Sequence, residues 1–360
     1  MNMNFLITLG LAFLSFVVPA VCYSAMARKS NFNRKASLTN TAFLPLFAVL
    51  LPLLLLTYFF LYNGNDFIGS FNPWQIIIPF AGALLISTAG VYPRLERWFP
   101  LILTVAVTLS AAVIPDSALR FIPSLEPWVN RIIVAATGLL FAGIYRYANS
   151  GDGMLASQSL TVSVGIGILG TLNAAPFLLG IFGWMYTGAF AALLAFSWHP
   201  SRIKISRYDA TACGLVLFAL MVPMAGEGAA SCCIILSLFF LIDFAWALIL
   251  KLTFLPRYDD LYADTSFQQA VAEGMNPAQA TSFSMRIQLL MLFFGCFQAY
   301  SPTPWSLLLV SSLIALWLIY RFRNVPAPMQ SLKDINAQVL EELQDRVNEF
   351  KNYVKKDDQF

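Results

Sequence analysis

Residues 195–214, AFSWHPSRIKISRYDATACG, close one apolar run and open the next. Between the two runs stand Arg202, Lys204 and Arg207, together with His199 and Asp209. Apolar walls on both sides make the segment a loop between two membrane spans. A loop of this composition can hold a phosphate through its cations and a metal through its carboxylate. It also has the composition of an ordinary cytoplasmic connection, because Lys and Arg gather in short cytoplasmic loops for reasons of topology alone. What other loops bring to the same place separates the two readings.

Outward from that loop, the chain of 360 residues is 58% hydrophobic and 11% charged, with a mean hydropathy of +0.69. The core of a water-soluble fold of this size cannot absorb so much apolar surface, so part of it must face lipid. A helical crossing takes about 20 residues, and long apolar runs recur as far as residue 321. The expected class is therefore an all-α polytopic membrane protein, with helices rather than barrel strands. The formal charge of +3, scattered over several loops, offers no surface for nucleic acid. Cys22, Cys213, Cys232, Cys233 and Cys296 lie in or beside apolar runs without metal or disulfide spacing, and read as small apolar residues.

The first apolar run, residues 5–23, has no basic residue ahead of it and reads as a retained helix rather than a cleaved signal. After it, residues 27–35, ARKSNFNRK, carry Arg28, Lys29, Arg34 and Lys35. Those cations put the first loop in the cytoplasm and the N-terminus outside. Further runs begin near residues 43, 73, 98, 129, 155, 175, 210, 229, 287 and 305, for about eleven spans in all. Arg94 and Arg97, Arg146, the opening loop and the long loop 253–286 fall on the cytoplasmic side in this register. An odd number of crossings then leaves the C-terminus in the cytoplasm, where Arg321 and Arg323 stand.

The sequence divides into a membrane domain, residues 1–323, and a tail, residues 324–360. In the tail Ile335, Val339, Leu343, Val347, Phe350 and Val354 recur at helical spacing among charges, which predicts an amphipathic cytoplasmic helix. Its mixed charges favour a protein contact over a lipid surface: the membrane domain, a second copy in a homodimer, or an assembly partner.

Several strings in this order carry a family resemblance. Residues 31–35, NFNRK, match an asparagine closely followed by Arg-Lys, and residues 149–153, NSGDG, match an N-x-x-D-G motif that lacks its second D-G. Pro200, Arg202 and Ile203 with Asp209 match a proline, Ala-Arg-Ile-like, Gly-Asp sequence, the aspartate arriving about two residues late. Residues 241–243, LID, and 264–274 match two later motifs. Over roughly 320 residues the chain resembles the polyprenyl-phosphate N-acetylhexosamine-1-phosphate transferases, which move a sugar phosphate from a UDP-sugar to undecaprenyl phosphate. The resemblance implies an integral protein of the bacterial inner membrane acting on its cytoplasmic side, in cell-envelope polysaccharide synthesis. It implies Mg²⁺ as cofactor if the protein is active.

Two departures fall on catalytic motifs. Where the family has adjacent aspartates this chain has Val91, Tyr92, Pro93 and Arg94, and Phe267, Gln268 and Gln269 replace a histidine-rich motif. Phosphoryl transfer from a pyrophosphate needs its developing charge neutralised, usually by Mg²⁺ on carboxylates. Asp152 and Asp209 are the remaining candidates for metal binding and catalysis; as helix N-caps they have a purely structural alternative. Asn149, Arg202, Lys204, Arg34 and Lys35 are the candidate substrate contacts. His199, the one histidine in the chain, reads as structural. Asp243 lies within an apolar run and requires a partner or a cavity.

The readings in play are an active transferase, a degenerate relative that binds the lipid carrier or serves assembly, and an unrelated transporter. Topology is open to a direct check by labelling with an impermeant thiol reagent from outside. Cysteine at Ser30 or Ser206 is expected to be protected, and cysteine at Asn65 or Gly228 to react. The reverse pattern would invert the orientation.

Overall fold

A computed structural model describes residues 3–32, 74–115, 126–149, 151–253, 265–301 and 305–324, with side chains omitted at both ends of the first helix and at Val91 and Pro93. Among the described residues the chain is helical and contains no strand. We label the helices α1 (Met3–Phe32), α2 (Trp74–Val91), α3 (Phe99–Val113), α4 (Pro127–Ala148), α5 (Met154–Thr171) and α6 (Phe177–Ser197). The series continues with α7 (Arg207–Met224), α8 (Ala230–Thr253), α9 (Ser266–Ala272), α10 (Pro277–Gln298) and α11 (Ser306–Arg323). A single turn, Pro93–Glu96, joins α2 to α3.

Seven helical stretches among the described residues are long and apolar enough to cross a membrane, so this is an all-helical, multi-pass membrane protein. One of them, Arg207–Thr253, holds both α7 and α8. In a straight helix residues 221 and 233 would stand about 18 Å apart. Instead the Cys233 thiol donates to the Met221 carbonyl at 3.6 Å. The chain has folded back through the turn Ala225–Ala229, where Gly228 takes the left-handed φ of 104° that a side chain disfavours. The stretch is thus a helical hairpin with Glu227 in its turn. Two more apolar helical stretches, Trp74–Gly90 in α2 and Phe99–Val113 in α3, fall below the length of the seven. The 15 residues of α3 reach about 22 Å, less than a typical hydrocarbon core.

Two boundaries differ from the sequence reading. α1 runs on to Phe32, so the basic segment begins as helix rather than loop. α10 begins at Pro277, about ten residues ahead of its apolar run, because Asn276 caps it through Ala278 N and Pro277 occupies the first turn, where a missing N–H is harmless. The second apolar run, residues 43–62, and the tail beyond residue 324 lie outside the described residues, as do Arg34 and Lys35.

The most buried of the membrane-length helices are α5 and α6, an antiparallel pair joined by the short turn around Asn173. They pack backbone against backbone where Gly167 meets Gly183 and Gly170 meets Gly180, with no room for a Cβ between them. Such small-residue contacts are how helices approach closely where lipid supplies no hydrophobic drive. Gly188 likewise seats α6 against the α1 backbone at Ala12. Buried hydroxyls on α5 turn inward and bond their own helix, as Ser157 does to the Met154 carbonyl and Ser159 to the Leu155 carbonyl. Gln158 crosses to α8, where its Nε2 donates to the Leu236 carbonyl at 2.9 Å. Large apolar side chains such as Phe13, Leu101, Phe293 and Leu309 face outward.

Gly180→Ala is expected to lower the melting temperature in detergent, by about 1–3 kcal/mol of overpacking. Gly143→Ala, at a site with no atom within 4 Å of the added Cβ, is expected to be neutral or slightly stabilising. Equal melting temperatures for the two variants would contradict the close pairing.

Candidate functional site

Because α5 and α6 are antiparallel, the start of one and the end of the other lie together, and so do the loops attached there. α4 ends at Ala148, and Asn149 leads into a turn closed by Gly153, whose φ of 77° opens α5. Asn149 reaches the second loop, its Nδ2 donating to the Ile205 carbonyl at 2.8 Å. Asp152 makes the other link. Its Oδ2 lies 3.0 Å from Nδ1 of His199 and accepts from Ser201 N at 3.4 Å. Thr281 of α10 donates to the Asp152 carbonyl at 2.8 Å. The two loops and α10 thus meet at one aspartate.

These contacts enclose a polar cavity of about 170 Å³ lined by Asn149, Gly151, Asp152, Ser197, Ile203 and Lys204, among others. Lys204 is exposed and has no hydrogen-bond or ion-pair partner among the described residues. Its ammonium is free to meet an anion. The Asp152 carboxylate is engaged by His199 and by the Ser201 backbone N–H. Arg202 is exposed and does not line this cavity.

Asp209 stands elsewhere. Ser206 is the N-cap of α7 and its hydroxyl accepts from Asp209 N at 3.0 Å, so Asp209 occupies the third helical position rather than the cap. Its carboxylate is 1% exposed and has Ser206 and Ser87 as its polar neighbours. The spacing is the serine-x-x-acid pattern of a helix start, but among the described residues neither carboxylate oxygen has a hydrogen-bond partner. Nor does Asp152 cap α5: that position belongs to Gly153, and the Asp152 side chain is used between loops. Asp209 is absent from the cavity that Asp152 lines. No group of three or more His, Cys, Asp or Glu side chains placed to hold a metal occurs among the described residues.

Two aromatic rings cover glycines of the loops. The Phe267 ring lies directly on Gly151, leaving no space for a Cβ, and is 3% exposed. Tyr208 covers Gly90 in the same way, and its hydroxyl donates to Glu96 Oε1 at 2.6 Å. Arg146 adds its guanidinium over Phe99 and Tyr208, at 4.7 and 5.5 Å from the ring centres. Phe267 stands where the resemblance calls for histidine, and Gly90 lies beside the place where it calls for aspartates.

The ring of Phe267 is positioned by a buried ion pair. Asp243 of α8 and Arg323 at the end of α11 are 3% and 4% exposed, with Arg323 Nη2 3.4 Å from Asp243 Oδ1. Asp243 Oδ1 also accepts from Ser266 N at 3.1 Å and from the Ser266 hydroxyl. Arg323 Nε donates to that same hydroxyl at 3.0 Å, and Nη1 to Gln269 Oε1 at 3.2 Å. Residues 266 and 269 are thereby fixed on either side of Phe267. The sequence shows that Asp243 requires a partner but not that Arg323, 80 residues on, supplies it.

No protein-family model matches the chain, and no curated protein matches it.

Asp243→Asn leaves Arg323 buried without its counter-charge and is expected to cost about 3–5 kcal/mol. Asp243→Leu combined with Arg323→Met removes both charges and is expected to recover most of that loss. Thermal unfolding in detergent distinguishes the two; a double variant no better than the single would contradict the pairing.

Proposed function

We propose that this membrane protein binds the phosphate of a polyprenyl-phosphate lipid carrier between Asn149 and Lys204, as a catalytically degenerate counterpart of the sugar-1-phosphate transferases it resembles. The observation that carries the reading is the make-up of the cavity: a Lys204 amine that has no ion-pair partner among the described residues, beside the Asp152 carboxylate already engaged by His199 and Ser201. An ammonium and the second N–H of the Asn149 amide suit a phosphate head.

Transfer of a sugar phosphate brings a UDP pyrophosphate and a lipid phosphate together, and that charge needs a cation on carboxylates. A Mg²⁺ ion shared by Asp152 and Asp209 needs both side chains at one cavity. Asp209 instead turns toward Ser206 and Ser87 at the start of α7. Asp209 does not line the cavity that Asp152 lines, and the reading contains no step through a metal. Phe267 on Gly151 points the same way, since it fills with a ring the space beside the cavity. In this reading the protein serves the cytoplasmic face of a bacterial inner membrane, holding the carrier for a partner in envelope assembly.

Two measurements on protein in nanodiscs test this. With Mg²⁺, undecaprenyl phosphate and a panel of UDP-sugars, UMP release is expected to stay at the protein-free level. Undecaprenyl phosphate is expected to bind, and Lys204→Ala to weaken binding about tenfold by loss of one charge-assisted contact. Turnover of about 1 per second or more would make the protein an active transferase, and unchanged binding by Lys204→Ala would remove the cavity from the reading.

A further inference from the structure

A second cavity, of about 370 Å³, lies on the other side of the α6 end, between Trp198 and the face of α10. Its walls include Trp198, Met275, Gln279, Ser282, Phe283 and Arg286. Gln279, Ser282 and Arg286 are three and four residues apart, so they share one face of α10. Phe283 backs the cavity and is itself stacked on Phe322, with ring centres 5.0 Å apart.

Arg286 is the informative residue. It is exposed, and among the described residues it has no hydrogen-bond or ion-pair partner. It also marks a change of character along α10. From Pro277 to Arg286 the helix carries Gln279, Thr281, Ser282 and Ser284, whereas from Ile287 to Phe297 it is almost wholly apolar. The polar first turns end at Arg286, and Trp198 across the cavity is a side chain typical of a membrane interface. An arginine there needs an anion or water, and none of the described residues lining the cavity is a carboxylate.

The same face continues past Arg286. Leu289, Phe293 and Phe297 follow Arg286 at spacings of three, four and four, and all three are exposed, at 46%, 62% and 56%. The rings of Phe293 and Phe297 stack with an interplanar angle of 11°. A cation with two polar neighbours thus sits at the head of an exposed apolar track about 16 Å long.

We propose that this face of α10 is a binding site for an anionic phospholipid, its phosphate at Arg286, Ser282 and Gln279 and one acyl chain along Leu289, Phe293 and Phe297. Charge selects the occupant: a zwitterionic lipid brings its own cation to the arginine, and a free phosphate leaves the track unused. The site is independent of the Lys204 cavity and stands whether or not that cavity takes a lipid carrier.

Native mass spectrometry of the full chain with phosphatidylglycerol, and separately with phosphatidylcholine, tests it. Phosphatidylglycerol is expected to bind about tenfold more tightly than phosphatidylcholine, and Arg286→Gln to abolish that difference. Arg286→Lys is expected to keep part of it. Phe293→Ala is expected to weaken retention of phosphatidylglycerol while leaving the preference for it. Equal binding of the two lipids, an unchanged preference in Arg286→Gln, or displacement of phosphatidylglycerol by millimolar inorganic phosphate would each overturn the proposal.

Discussion

Where Gly167 meets Gly183 and Gly170 meets Gly180, two transmembrane helices touch with nothing but backbone between them. That contact sets how α5 and α6 lie, and everything at the polar end of the pair follows from it. The turn before α5 and the loop after α6 are brought side by side, which is why Asp152 can reach His199 at 3.0 Å although 47 residues separate them. Asn149 then secures the second loop through the Ile205 carbonyl, and Thr281 brings α10 to the same point. A small polar cavity results from helix packing that is itself apolar.

The remainder of that end is governed by the cost of burying charge. Asp243 and Arg323 neutralise each other inside the bundle, and Ser266 and Gln269 take up the hydrogen-bonding capacity left on the two ions. Removing two ions from water is tolerable only with partners of this kind. The arrangement fixes α9, and with it the Phe267 ring that covers Gly151. A phosphoryl-transfer centre would have to concentrate carboxylates and a metal where this chain places aromatic rings on glycines. In the proposed reading these charges hold an anion.

Much of the membrane architecture was legible in the residues. The membrane-length helices among the described residues coincide with apolar runs read from the sequence. What escaped was long-range or depended on capping. The Asp152–His199 pair depends on the packing of α5 against α6, and no local pattern reveals it. Arg323 reads as a topological cation after the last span until the fold sets it beside Asp243. Asp209 reads as a ligand in a basic loop, and the fold sets it at the third helical position after the Ser206 cap. α10 begins early because Asn276 and Pro277 outweigh the polar composition of its first turns.

The central claim is that a lipid phosphate sits between the two loops joined by Asp152 and His199. It is tested most directly by photo-crosslinking with a polyprenyl phosphate bearing a photoreactive group next to the phosphate, followed by peptide mapping. The account predicts adducts in residues 149–153 and 197–205 that disappear when unlabelled undecaprenyl phosphate is added. Adducts confined to other helices, or adducts in these loops that the unlabelled lipid does not compete away, would contradict it.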